Sequence, residues 1–159
     1  MFETFTASQW LAHTREHGDL AAWLALVPYA RRIGVSAEVD DHGVLFHLAP
    51  QQGNVGNVLL PALHGGVVAA FMETAASLDL MLATREPRLP KIIDFSIDFL
   101  QAARLAPTQA RCRLLREGKR MANVQVTAWQ QSEAQPVATA RLHFALADPD
   151  DASLINRNA

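Results

Sequence analysis

Cysteine and charge are both scarce in this sequence. Among its 159 residues there is one cysteine, Cys112, which excludes an intrachain disulfide and a cysteine-rich zinc site. Charged residues make up 19% and hydrophobic residues 50% of the chain, and this balance excludes an intrinsically disordered protein and a coiled coil. The net charge of −2 excludes a generally basic nucleic-acid coat. The composition therefore predicts one globular domain that is stabilised by its own core.

The sequence also has no stretch typical of a secretory signal or a membrane span. Residues 1–4 have no positive charge followed by an apolar segment, so we expect no secretory signal. The most apolar stretch, residues 58–83, contains Glu73 and Asp79, and a membrane span of about 20 apolar residues would not carry two acids there. We therefore expect a cytoplasmic protein without a membrane partner.

The first part of the chain predicts helices followed by a hairpin. Apolar residues recur at helical spacing over residues 7–31, and Gly18 and Pro28 divide this segment into two short helices. From residue 33 the apolar period changes to two, and the turn at residues 40–43 predicts a β-hairpin. Polar residues, glycine and proline then predict a loop over residues 49–61.

One long helix and four strands follow. Residues 65–84 are apolar on nearly every side, which is typical of a buried helix. Alternating patterns predict strands over residues 91–101, 109–116, 121–129 and 137–146. Strands joined by short turns favour an antiparallel sheet, here of about six strands wrapped around the helix, in an α+β domain. The predicted units are a helical segment at 1–32, the domain at 33–146 and a flexible tail at 147–159.

The start of the long helix and one acid on it stand out from ordinary core sequence. His64, Gly65 and Gly66 open the helix, where backbone N–H groups lack partners and meet the positive end of the helix dipole. Glycines there let a carbonyl oxygen approach those donors, as an oxyanion site requires. Glu73 can serve as a general base or a nucleophile, and Ser77, one turn later on the same face, can orient it or a water molecule.

These residues resemble a known family. Residues 63–67 read Leu-His-Gly-Gly-Val, and Glu73 follows the histidine by nine positions. This resembles the signature of hotdog-fold acyl-CoA thioesterases of the phenylacetate-degradation (PaaI) type. The resemblance covers residues 33–146 and implies the hotdog fold, in which an antiparallel sheet wraps around one long helix. It also implies hydrolysis of an acyl-CoA thioester, with coenzyme A as part of the substrate and with neither a metal nor a further cofactor.

The resemblance implies roles for individual residues. The Gly65 N–H polarises the thioester carbonyl, and Glu73 is the nucleophile or the general base, where many relatives carry Asp. His64 lies beside the site and orients it by hydrogen bonding, and Gly66 belongs to the substrate-binding segment. Relatives often carry Asn six residues before the histidine, and here Asn57 lies seven residues before it.

Helix geometry separates the two main groups of this site. Gly65 and Glu73 are eight residues apart, which is about 12 Å along a helix. Reacting groups lie about 3–3.5 Å apart, so one helix cannot easily bring both residues to one carbonyl carbon. If both act together, each comes from a different subunit, and a two-fold pairing makes two equivalent sites. The sequence thus predicts at least a homodimer, either a dimer or a tetramer.

A basic segment lies within the second half of the predicted sheet. Residues 104–120 contain six of the 14 Lys and Arg residues, including Arg116, Lys119 and Arg120, which we assign to substrate binding. Such a region suits the phosphate groups of coenzyme A, or it is a solvated sheet face. Aromatic residues are absent from it, which makes nucleic acid a less suitable partner.

Two other functions remain open from the sequence. One is a non-catalytic acyl-CoA binding protein of the same fold, although Glu73 argues against it. The other is a hotdog-fold dehydratase or hydratase, whose members typically carry a His-Phe-Pro segment that this chain lacks. Release of free thiol from acyl-CoA esters distinguishes hydrolysis from both.

Overall fold

The N-terminal segment forms three helices rather than the two predicted. The computed structural model describes residues 7–84 and 88–147. Gly18, with φ of +65°, ends the first helix, and Asp19 caps the second by accepting the N–H of Ala22 at 2.9 Å. Pro28 starts the third helix at its first position, where its missing N–H is not needed. The three helices are α1 (Ala7–His17), α2 (Leu20–Ala25) and α3 (Pro28–Ile33).

Every predicted strand is present, and together they form one antiparallel sheet. The described residues contain eight strands: β1 (Val35–Asp40), β2 (Gly43–Leu48), β3 (Val55–Asn57), β4 (Ala62–Leu63), β5 (Leu89–Phe99), β6 (Thr108–Glu117), β7 (Met121–Trp129) and β8 (Ala138–Ala147). Six of them form the main sheet in the order β1-β2-β6-β7-β8-β5. The predicted flexible tail lies outside the described residues, except for Ala147, which ends β8.

The segment predicted as a loop, residues 49–61, is partly a strand. Strand β3 lies within this segment and pairs with β4, which follows it directly, so that Val55 lies opposite Leu63. The side-chain oxygen of Asn57 accepts the N–H groups of Leu59 and Leu60, at 3.0 and 3.2 Å. This side chain therefore closes the tight turn that returns the chain to β4, an Asx-type turn that polar composition alone does not distinguish from a loop.

The long helix α4 (Gly65–Ala83) forms the centre of the domain. It packs against the sheet and also contacts α1 and α3. Its apolar side chains are mostly buried, with Phe71 and Met72 fully so, in contact with inward-facing residues of β7 and β8 such as Val126 and Phe144. By length and composition α4 could cross a membrane, but half of its most apolar window is buried in this fold, and core helices of soluble proteins pass the same test.

The strip of α4 that carries Glu73 is less buried than the sequence predicts. Glu73, Thr74 and Ser77 are half-buried, between fully buried neighbours on either side. A carboxylate is expensive to bury without a partner, so its position on this strip agrees with its charge. Glu73 is thus accessible to a molecule that approaches this side of the helix.

Strand β5 is the longer of the two edge strands of the main sheet, the other being β1. It spans 11 residues and pairs only with β8 within the described chain. Ile93 and Phe99, on this strand, are 56% and 55% exposed, although both are large apolar residues. A long edge of this kind is a template for pairing with another chain.

Candidate active site

The N-terminus of α4 is capped by the side chain of His64. Its Nδ1 atom accepts the N–H of Gly66 at 2.9 Å. Because the backbone group is the donor, Nδ1 is unprotonated and the neutral ring carries its proton on Nε2. A Cβ atom on residue 66 would lie 3.0 Å from Nδ1, so glycine permits this close cap. The predicted hydrogen-bonding role of His64 therefore has a definite partner, although that partner is the helix itself.

Two further residues fix the position of His64. Its backbone N–H donates to the carbonyl oxygen of Asn54 at 2.8 Å. Asn54 is 3% exposed, and its side-chain amide donates to the carbonyl oxygen of Ile33, at the end of α3, at 2.8 Å. A Cβ atom on Gly56 would lie 2.6 Å from the Cα atom of His64, so only glycine fits at that position. The N-terminal helices and β3 thus hold the start of α4 in place.

The backbone N–H of Gly65 belongs to a residue that lines an apolar cavity. None of the described residues accepts a hydrogen bond from it, because it lies in the first turn of α4 and the cap is made to Gly66. The cavity has a volume of about 500 Å³ and is lined mainly by small and apolar residues: Asn57, Leu60, Ala62, Leu63, Gly65, Val68, Phe99, Leu100, Gln101, Ala102, Ala103 and Val137. An unpaired donor at a helix N-terminus is suited to bind a carbonyl oxygen.

Asn57 lines the same cavity as Gly65. Its Oδ1 atom accepts the two backbone N–H groups of its turn. The amide N–H groups on Nδ2 are therefore the part of the side chain that is available to donate. The structure therefore brings together two of the predicted site residues, with a backbone donor and a side-chain amide donor on one cavity.

Glu73 and Ser77 do not line this cavity. They lie two to three turns further along α4, as the spacing predicts, on the half-buried strip. In the part of the chain that the structure describes, the Glu73 carboxylate has neither a hydrogen bond nor an ion pair. One chain therefore presents the donors and the acid at two separate places.

The predicted basic segment is divided by the fold. Arg111 binds the carboxylate of Asp40 with two hydrogen bonds, at 3.1 and 2.8 Å, and lowers the pKa of Asp40 to about 2. Arg116, Lys119 and Arg120 lie at the β6–β7 turn, where the carbonyl oxygen of Arg120 accepts the N–H of Leu146.

This turn is at the opposite end of the sheet from the cavity. Along β5, Leu89 pairs with Ala147 near the turn, whereas Phe99 pairs with Ala138 near Gly65. The two ends are separated by the length of β5, roughly 30 Å. In a single chain, the three basic residues and the Gly65 cavity are therefore at separate places.

Sequence comparison identifies the family. Residues 58–145, more than half of the chain, match the model of the acyl-CoA thioesterase N-terminal domain. The chain belongs to the acyl-CoA thioesterase family. Its enzyme class is that of the thioester hydrolases, and the predicted resemblance to hotdog-fold thioesterases is confirmed. No curated protein sequence is significantly similar to this thioesterase.

Solved structures support the same fold. A protein from Chromobacterium violaceum is 38% identical, with a TM-score of 0.72, over 88% of this chain and 98% of that one. A thioesterase from Haemophilus influenzae is 18% identical, with a TM-score of 0.69, over 94% and 96% of the two chains. A phenylacetic acid degradation-related protein from Ralstonia eutropha is 19% identical, with a TM-score of 0.67, over 79% and 98%.

Sequence reasoning missed several residues that shape this thioesterase site. The side chain of Gln130 donates to the carbonyl of Arg104 and accepts its N–H, at 2.7 and 3.1 Å, and so holds the loop that follows β5 beside the cavity. Nothing in the sequence pattern marks Gln130. Asn54 and Phe99 were also missed, whereas Gly56 carried a usable signal, since a glycine in a strand often marks close approach of another backbone.

Asp79, the second acid of α4, lies near the other end of the helix. Burial raises its pKa to about 6, and the charge of Arg111 opposes this only in part. Burial and, secondarily, the negative charge of Asp79 raise the pKa of the Cys112 thiol. Neither residue lines the cavity, so we treat this pair as part of the core rather than of the site.

Proposed function

We propose that this thioesterase hydrolyses acyl-CoA esters at a site shared between two subunits. One observation carries the proposal: Gly65 lines an apolar cavity and its N–H is unpaired among the described residues, while the adjacent Gly66 N–H is occupied by His64. Gly65 polarises the thioester carbonyl, and the Nδ2 amine of Asn57 is a second donor to the same oxygen. Both stabilise the negative charge that develops on that oxygen during attack.

Glu73 of the partner subunit supplies the acid–base or nucleophilic chemistry. As a general base, it takes a proton from water while the water oxygen bonds to the carbonyl carbon; the C–S bond then breaks, and CoA leaves as the thiolate. As a nucleophile, its oxygen forms an anhydride with the acyl group, expels CoA thiolate and is released by water. In both routes the products are a carboxylic acid and CoA. Ser77 orients the water or the carboxylate.

The free edge of β5 supports the shared site. Antiparallel pairing of this edge with β5 of a second copy would cover Ile93 and Phe99 and satisfy the unpaired backbone groups. Such a two-fold pair has two equivalent sites. Phe99 lies at the end of this strand and on the cavity, so the cavity is next to the proposed subunit contact. The proposal is therefore a homodimer at least.

The same pairing gives the basic turn a role. Antiparallel β5 strands place the Leu89 end of one subunit beside the Phe99 end of the other. Arg116, Lys119 and Arg120 of the partner subunit then lie on the same side of the dimer as the cavity. We propose that they bind the phosphate groups of coenzyme A. The proposed reaction is cytoplasmic, uses neither metal nor redox cofactor, and involves neither nucleic acid nor membrane.

The proposal is tested by release of free thiol from a panel of acyl-CoA esters. The native protein is expected to release CoA, whereas Glu73→Gln keeps the shape of the side chain but cannot accept a proton, so kcat falls at least about 100-fold. Glu16→Gln, on the exposed side of α1, is the matched control and is expected to retain full activity. Full activity of Glu73→Gln would remove Glu73 from the mechanism.

A further inference from the structure

The ring of Phe99 lies directly against the backbone of Gly65. A Cβ atom built on Gly65 would lie 3.2 Å from Cζ of this ring, with two further ring carbons at 3.5 and 3.8 Å. Phe99 is nonetheless 55% exposed, because its other side faces the cavity and the open edge of β5. A large aromatic surface is thus held beside Gly65, whose N–H has no acceptor among the described residues.

The surroundings of this ring indicate which part of a substrate it contacts. Leu60, Leu63, Val68 and Leu100 line the cavity together with Phe99, and only Asn57 and Gln101 contribute polar side chains. A pantetheine arm carries two amide groups, which lose hydrogen bonds with water on entering such a space. A hydrocarbon acyl group has no such penalty and gains from burial against the apolar wall.

We infer that Phe99 determines which acyl groups this enzyme accepts, a conclusion that rests on the proposed function. A carbonyl oxygen bound by the Gly65 N–H fixes its carbonyl carbon beside the ring, so the first carbons of the acyl chain lie along the face of Phe99. The ring limits the depth available to the chain. A Cβ atom on residue 65 would press on the ring, so glycine leaves this wall undisturbed.

The inference is tested by acyl-length preference in ring variants. Phe99→Ala enlarges the cavity, so the ratio of kcat/KM for decanoyl-CoA to that for butanoyl-CoA is expected to rise at least about tenfold. Phe99→Trp is expected to lower the ratio. Val39→Ala, which truncates an apolar residue of β1 that is 66% exposed, is the matched control and leaves the ratio unchanged. A ratio that stays constant or falls in Phe99→Ala overturns the inference.

Binding of non-hydrolysable analogues separates this inference from the proposed function. The dissociation constants of S-decyl-CoA and S-butyl-CoA, thioethers without a carbonyl, are measured by calorimetry for the same variants. If the native protein hydrolyses no ester, the proposed function fails, and the thioether preference still reports on Phe99. Sedimentation of each variant monitors the dimer, and Phe99→Leu replaces Phe99→Ala if the latter dissociates. An unchanged thioether preference in a dimeric variant overturns the role of the ring.

Discussion

His64 accepts the Gly66 N–H through Nδ1 at 2.9 Å, and this one hydrogen bond assigns different tasks to two adjacent glycines. The Gly66 N–H completes the helix cap, while the N–H of Gly65, which lines the cavity, has no acceptor among the described residues. The donor proposed for catalysis is therefore positioned by the residue that caps its helix. The cap that His64 Nδ1 makes to Gly66 concerns stability, and the Gly65 N–H concerns the proposed activity. The two can be measured separately.

Replacing His64 is expected to affect stability according to the capping ability of the new residue. His64→Ala leaves the Gly66 N–H without its acceptor and lowers the free energy of unfolding by about 1 kcal/mol. His64→Asn retains a capping oxygen, so its loss is expected to be only a few tenths of a kcal/mol. Urea denaturation measures both. Equal losses in the two variants would show that the cap does not determine the effect.

Gly56 is expected to be intolerant of any side chain. Gly56→Ala places a Cβ atom 2.6 Å from the Cα atom of His64, which is backbone and cannot move without shifting the start of α4. We expect a loss of about 1–3 kcal/mol in stability and at least a tenfold loss in kcat/KM.

Gly53 provides the matched control for this substitution. A Cβ atom on Gly53 meets nothing within 4 Å, so Gly53→Ala is expected to change stability by less than about 0.5 kcal/mol. Thermal unfolding and thiol release are measured on both variants. Similar behaviour of the two alanines would argue against close packing at His64.

Asp79 is expected to make stability depend on pH. Its pKa rises from 3.8 to about 6 on folding, so between these values the folded state holds a proton that the unfolded state has lost. Stability contributed by this group is complete below about pH 3 and is lost as the pH rises through about 6. Asp79→Asn removes this loss and is expected to stabilise the protein at pH 8 by on the order of 2 kcal/mol.

The pH dependence itself is the sharper readout for Asp79. The gain from Asp79→Asn is expected to disappear below about pH 3, where the native carboxyl group is neutral in both states. Asp41→Asn, at the exposed β1–β2 turn, is the control and is expected to show no such dependence. A gain that is constant between pH 4 and pH 8 would contradict burial as the cause.

The basic turn is expected to affect substrate binding more than turnover. Lys119→Ala combined with Arg120→Ala removes phosphate contacts that persist from the ground state to the transition state, so KM rises while kcat changes little. The effect is expected to shrink at high salt, because exposed charges are screened. Arg31→Ala with Arg32→Ala, on the exposed side of α3, is the control. An unchanged KM would leave these residues as a solvated turn.

The parts of the fold that depend on local pattern could be predicted from the sequence. The apolar period around α4 predicts its burial, and the spacing of His64, Gly65 and Glu73 predicts both the family and the separation of donor from acid. The pairing of β3 with β4 was missed, because it depends on how one side chain, Asn57, folds a turn.

Relationships between distant segments could not be predicted in this way. Phe99 lies against Gly65 although 34 positions separate them, and Gln130 holds Arg104, which lies 26 positions earlier. Likewise, Arg111 and Arg116 are close in sequence, yet only Arg111 is neutralised by Asp40 on β1. Such contacts depend on sheet order, which composition and periodicity do not determine.

Two variants of α4 allow the shared site to be tested by mixing subunits. Gly65 is the first residue of the helix, where proline is well tolerated, so Gly65→Pro removes the N–H with little cost to the helix. Gly65→Ala adds a comparable contact with Phe99 but keeps the N–H, and is the control for that contact. Each of Gly65→Pro and Glu73→Gln is expected to be nearly inactive as a homodimer.

The most direct test is the thioesterase activity of heterodimers of Gly65→Pro and Glu73→Gln subunits, purified through two different affinity tags. One of the two sites then combines an intact Gly65 from one subunit with an intact Glu73 from the other. The account predicts about half of the native activity per dimer, since one of two equivalent sites is restored. Heterodimers as inactive as the parent homodimers would contradict a site built across the subunit interface.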